Sequence, residues 1–155
     1  MHLGCKGLRI SMKKILLLNG PNINRLGKRE EVYGSFTLQD IEKDVGTLLK
    51  KHHYEFDRFQ SNHEGELVDC LHRADGNFSG IIFNPAAYTH TSIALHDAIM
   101  SIETPVIEVH ISNVYQRESF RHTSVTAPAC SGQIVGFGLL SYRLAALAFI
   151  EEGLK

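Results

Sequence analysis

A glutamate, a histidine, a serine and an amide follow directly on the apolar run Pro105-Val106-Ile107, in the order Glu108-Val109-His110-Ile111-Ser112-Asn113. A β-strand turns alternate side chains to one face, so Glu108 and His110 share a side. A carboxylate beside an imidazole fixes its tautomer and raises its basicity, which suits a general acid or base. The same pattern also describes a buried strand end whose histidine is satisfied by its neighbour. The pair on its own leaves both readings open.

Three further groups of polar residues bear on that choice. The stretch Asn19-Gly20-Pro21-Asn22 opens a loop that runs to about Phe36, longer than the ~2–6 residues of a routine βα turn. It has neither Gly-x-Gly-x-x-Gly nor Walker spacing, so it is not a phosphate cradle. It does pair Arg29 with Tyr33. A free phenol loses its proton near pH ~10 and is a poor base at neutrality; a guanidinium beside it favours the phenolate. A hinge with a surface tyrosine is the alternative. The second group, Asn84-Pro85-Ala86-Ala87-Tyr88-Thr89-His90, breaks a strand at Asn84-Pro85 and offers Asn84 and His90 to a ligand. It can equally be a turn followed by Thr or Ser helix caps. Asp97 falls in the otherwise apolar helix beyond it, where it is either solvated or in need of a partner across a subunit contact. The third group follows His110: Ile111 and Ser112 can present backbone N–H groups to an anion. Arg117 and Arg121, four apart, share a side if the stretch is helical. They serve a ligand or pair with Glu118 at the surface.

The elements that must position these residues alternate. Ile15–Leu18, Tyr54–Gln60, Gly80–Phe83, Val106–Val109 and Gln133–Val135 read as strands. Helical periodicity fills Leu38 to Leu49 behind a Thr37 cap, Glu64 to about Ala74, Thr91–Met100, and Leu139 to Glu152. A repeated β-α order predicts an α/β, flavodoxin-like, doubly wound five-stranded parallel sheet with helices on both faces. Ligands of such sheets sit beyond the carboxyl ends of the strands. The polar groups fall there, after strands one, three and four, where core packing asks for none.

Composition narrows the function classes. The 155 residues carry a net charge of -1, which favours neither nucleic acid nor an anionic membrane surface. No apolar run approaches the ~20 residues of a membrane span. Met1–Ser11 lacks the apolar core of a secretory signal and reads as a tail before a single domain over residues 12–155. Three scattered cysteines (Cys5, Cys70, Cys130) form neither a metal-spaced pair nor a disulfide framework and fit a reducing cytoplasm. The nine histidines show no His-Glu-x-x-His spacing, so no metal site is expected.

Together, Asn-Gly-Pro-Asn (19–22), Asn-Pro-Ala-Ala-Tyr-Thr-His (84–90), Glu-Val-His-Ile-Ser-Asn (108–113) and Arg-Glu-Ser-Phe-Arg-His (117–122), with Gly136-Phe137-Gly138 and Tyr142, resemble type II 3-dehydroquinate dehydratase from about Met12 onward. The resemblance implies a flavodoxin-like, metal-free and cofactor-free enzyme of the shikimate pathway. It removes water from 3-dehydroquinate by anti elimination through an enolate. By motif, Tyr33 is the base, Arg29 holds it as phenolate, and Asn22 stabilises the enolate through a water. His110, oriented by Glu108, protonates the leaving hydroxyl. Asn84, Ser112 and the Ile111 backbone grip the carboxylate and hydroxyls, and His90 and Arg121 bind other hydroxyls. Asp97 reaches a neighbouring subunit's site, and Arg117 helps hold the lid. A trimer-based homododecamer is implied too. One departure stands out: Arg29-Glu30-Glu31-Val32-Tyr33 lacks the family's Pro and is one residue short, so counting back from Tyr33 selects Lys28 rather than Arg29. A non-catalytic flavodoxin-like binding module is the competing reading.

Overall fold

The computed structural model describes residues 11–28 and 34–154. Five parallel strands, β1 (Lys14–Asn19), β2 (Glu55–Gln60), β3 (Gly80–Asn84), β4 (Val106–His110) and β5 (Gly132–Val135), form one sheet in the order β2-β1-β3-β4-β5. Four helices connect or close them: α1 (Leu38–Lys51), α2 (Glu64–Ala74), α3 (Ile93–Met100) and α4 (Leu140–Glu152). This is the doubly wound, flavodoxin-like arrangement expected from the alternation. Among the described residues, no helix is long and apolar enough to cross a membrane.

Strand alternation splits the core into two layers. Ile15, Leu17, Ile82, Ile107 and Val109 pack under α1 and α4, while Leu16, Leu18, Ile81, Phe83 and Val106 pack under α2 and α3. The central strands are buried on both faces and therefore read as continuous apolar runs. Each such side chain, fully removed from water, contributes about 1.5–3 kcal/mol. Gly80 permits the closest helix approach, since a Cβ there would lie 2.4 Å from the Phe149 ring.

The helix starts follow local chemistry. Thr37 accepts from the Asp40 backbone while the Asp40 carboxylate accepts from the Thr37 backbone N–H at 2.8 Å, a reciprocal capping box. Ser92, not Thr89, caps α3 through Leu95 N–H at 2.9 Å. The expected helix at Thr91 therefore begins two residues later, behind a 3-10 turn over Ala86–His90. The segment holding Arg117 and Arg121 is no α-helix: two 3-10 turns, Val114–Gln116 and Ser119–Arg121, are separated by extended backbone at Arg117.

Candidate active site

The loops after β1, β3 and β4 enclose a crevice of about 480 Å³ at the carboxyl ends of the strands. Its walls contain Asn22, Asn84, His90, His110, Ile111, Ser112, Arg117 and Arg121, so residues up to 99 positions apart in sequence are brought together there. Arg25 and Lys28 join them. Arg25 was not singled out from sequence, because an arginine in a polar loop carries no spacing signal. Every charged side chain among the described lining residues is cationic, which creates a field suited to an anionic ligand.

Backbone geometry sets the crevice floor. Gly20 N–H donates to the Asn84 carbonyl at 2.7 Å, and a Cβ on Gly20 would lie 2.6 Å from the Pro85 carbonyl oxygen. Glycine is required at this close approach. Asn22 has a left-handed backbone (φ 69°), which asparagine tolerates, and its N–H donates to the Asn62 side chain at 3.0 Å. Ala86, also in the wall, takes φ 51°, a conformation costing an alanine about 1–2 kcal/mol.

Two buried polar clusters lie beneath the crevice. On the α2/α3 face, Glu108 is fully buried and its Oε1 lies 2.6 Å from His110 Nε2. Oε1 also accepts from Thr89 Oγ1 at 2.6 Å, Ser124 Oγ at 3.1 Å and Gln133 Nε2 at 3.1 Å, and Oε2 accepts from Thr126 Oγ1 at 2.6 Å. The register places Gln133 directly beside Glu108 on β5. Burial pushes the Glu108 carboxyl up. The hydrogen bond and charge of His110 and the Thr126 and Thr89 hydroxyls outweigh it and hold the group below its ordinary 4.5. An ionised carboxylate only accepts, so Nε2 of His110 carries the hydrogen and Nδ1 is left to exchange protons. Thr89, Ser124, Thr126 and Gln133 were missed from sequence. Three of them resemble caps or loop residues, and only their shared target identifies them.

On the α1/α4 face, Asn19 and Asn84 sit side by side in register. The Tyr142 hydroxyl bridges them, donating to Asn19 Oδ1 at 2.7 Å and accepting from Asn84 Nδ2 at 2.8 Å. Burial pushes this phenol well above its usual range, so it stays neutral. Asn84 Oδ1 accepts from Ala86 N–H at 3.0 Å, so Asn84 both makes the turn and lines the crevice.

The loop between β4 and β5 is held by histidines. His90 Nδ1 donates to the Thr123 carbonyl at 2.8 Å, and His96 Nδ1 to the Val125 carbonyl at 2.7 Å. The first bond makes Nε2 of neutral His90 an acceptor. Arg121 pairs with Glu118 at 2.8 Å, and Arg117 lies 3.7 Å from the same carboxylate and donates to Ser112 Oγ at 3.3 Å. The two open readings thus coincide, because both arginines line the crevice and engage Glu118. Asp97 is exposed on α3, on the same outward side as Ile93 and Met100, and does not line the crevice of its own chain. Arg29 and Tyr33 lie outside the described residues. Among the described residues, no group of three or more His, Cys, Asp or Glu is arranged to hold a metal ion.

A parallel five-stranded α/β sheet with a cationic crevice at its carboxyl ends, floored by a buried Glu–His pair, defines a flavodoxin-like fold. The family model for class II dehydroquinase matches residues 13–150, and the chain belongs to that family. The chain is 59% identical over 142 residues to the 3-dehydroquinate dehydratase of Bacillus cytotoxicus, covering 91% of this chain and 97% of the relative. It is 58% identical over 142 residues to that of Bacillus mycoides, with the same coverage. The crystal structure of type II dehydroquinase from Butyrivibrio crossotus superposes with a TM-score of 0.86 at 45% identity, covering 90% of this chain and 97% of the other.

Proposed function

We propose that this chain is a type II 3-dehydroquinate dehydratase, converting 3-dehydroquinate to 3-dehydroshikimate and water in the shikimate pathway of the cytoplasm. The observation that carries the reading is the Glu108–His110 pair, with the carboxylate held ionised beneath a crevice whose described charged walls are all cationic. The relatives' names supply the substrate, and the cationic walls suit its carboxylate.

The proton beside a ketone is weakly acidic, and hydroxide leaves poorly, so the elimination needs a base, a place for enolate charge, and an acid. Tyr33 as phenolate, held by Arg29, takes the alpha proton. The electron pair moves onto the ketone oxygen, and Asn22 stabilises that enolate through a water. The enolate then collapses to expel the hydroxyl on the opposite face. His110 supplies the proton that makes it water, and Glu108 stabilises the imidazolium before that transfer. Asn84, Ser112 and the Ile111 backbone bind the carboxylate and ring hydroxyls, with His90 and Arg121 on other hydroxyls and Arg117 holding the lid. Asp97 completes a neighbouring copy's site within a homododecamer of trimers. That role accounts for an exposed acid on an apolar helix face.

Mixing the protein with 3-dehydroquinate tests the reading, because the product is a conjugated enone and absorbs where the substrate does not. Absorbance should rise with the wild type. Tyr33→Phe should abolish turnover while leaving binding of a substrate analogue largely intact, since the hydroxyl is used only in proton transfer. Near-normal turnover in that variant removes Tyr33 from the scheme.

A further inference from the structure

We infer that Thr126 is a positioning residue for the Glu108–His110 pair, fixing the carboxylate through Oε2 so that Oε1 is presented to His110 Nε2. The inference rests on the reading of His110 as the acid of the elimination. It extends to a residue with no place in the crevice wall.

The two carboxylate oxygens are held unequally. Oε1 receives His110, Thr89, Ser124 and Gln133. Oε2 has one close donor, Thr126 Oγ1 at 2.6 Å, and a thiol contact from Cys130 Sγ at 3.9 Å. The terminal torsion of a glutamate is broad, so nothing intrinsic stops the carboxylate from rotating. The partners on Oε1 restrain that oxygen, and the strong donor on Oε2 adds a second point that fixes the plane of the carboxylate. Thr126 is itself anchored and fully buried: its carbonyl accepts from Ala129 N–H at 3.0 Å, closing the 3-10 turn over Ala127–Ala129. Its hydroxyl therefore has no exchange with solvent.

Proton accounting supports a donor role. Thr89 Oγ1 lies 2.9 Å from Thr126 Oγ1 and 2.6 Å from Ser124 Oγ, so three hydroxyls crowd one carboxylate. Each has a single hydrogen, and an ionised carboxylate accepts every one aimed at it. The titratable groups facing Glu108 among the described residues are His110 on β4 and the Cys130 thiol before β5. Burial, then the Glu108 charge, push that thiol up, so it stays protonated. The threonines, Ser124 and Gln133 are uncharged, which leaves His110 as the partner whose charge can change with the carboxylate's.

Thr126→Val removes the hydroxyl and keeps the branched shape, whereas Thr126→Ser keeps the hydroxyl and drops a methyl. Loss of a hydrogen bond to a charged group should lower kcat about tenfold in Thr126→Val. The acid limb of its pH profile should move up by about one unit, with KM little changed. Thr126→Ser should retain the wild-type limb. In the substrate-free protein, the Nε2–H proton resonance of His110 should move upfield in Thr126→Val and stay in place in Thr126→Ser. Equal losses in both variants, or a folded Thr126→Val with an unmoved limb and resonance, would overturn the assignment. If Thr126→Val does not fold, Thr126→Cys replaces a strong donor with a weak one and should shift limb and resonance the same way. An unchanged Thr126→Cys then overturns it. A wild-type chain inactive on 3-dehydroquinate would instead remove the functional reading, while the His110 resonance still decides what Thr126 does.

Discussion

The two polar clusters beneath the crevice occupy opposite faces of the same sheet, and they are built on different physics. The Asn19–Tyr142–Asn84 chain is neutral throughout: two amides joined by a phenol that burial keeps protonated. The Glu108 cluster surrounds a full negative charge with an imidazole, three hydroxyls and an amide. A neutral network satisfies buried groups and ties strands to a helix. A charged one does the same and also couples its protonation to the crevice. Burial alone therefore does not separate the two clusters; a titratable partner in the crevice wall, His110, does.

Glu108→Gln should break this contrast most forcefully. The amide keeps the shape but aims N–H groups at donors and removes the charge that stabilises the imidazolium in the proposed elimination. Turnover should fall about a hundredfold or more, on the scale of a lost general acid. A variant within a few-fold of wild type, measured by enone absorbance, would reduce Glu108 to a structural residue. Tyr142→Phe is the matching perturbation on the other face. It leaves Asn19 Oδ1 and Asn84 Nδ2 without their buried partner and should cost about 1–3 kcal/mol of stability in denaturant titrations. Turnover should change far less than in Glu108→Gln. A large activity loss without a stability loss would erase the distinction between the clusters.

The smallest effect is a pH dependence of stability. The folded Glu108 carboxyl lies below its ordinary 4.5, so its contribution is fully present above that pH and is lost as pH falls through the lower folded value. Wild type should be more stable than Glu108→Gln at neutrality, and the gap in Tm should narrow on acidification below 4.5. A gap that does not vary with pH would mean the carboxyl is not held ionised by folding.

Much of this arrangement was legible in the sequence because strand alternation is local. The apolar runs at Ile15–Leu18 and Gly80–Phe83 announce central strands, and two-residue spacing alone puts Glu108 and His110 on one face. What was not legible depends on pairing across the chain. Asn19 and Asn84 become neighbours only once β1 and β3 are in register, and Tyr142 reaches Asn19 across 123 positions. Thr89 looked like a helix cap because Thr and Ser are interchangeable there by propensity. The structure gives the cap to Ser92 and frees Thr89 for Glu108. The spacing of Arg117 and Arg121 suggested one helical face, but Arg117 reaches the crevice from extended backbone between two 3-10 turns and Arg121 from the second of those turns.

The contact between Gly20 and the Asn84-Pro85 backbone has a consequence for how the crevice can vary. Two strand-end loops are clamped main chain to main chain at 2.7 Å, with no side chain between them as a spacer. The gauge of the opening is thereby written in peptide units. A change of rim side chain alters length and charge at the opening without touching the main-chain contact that joins the β1 and β3 banks.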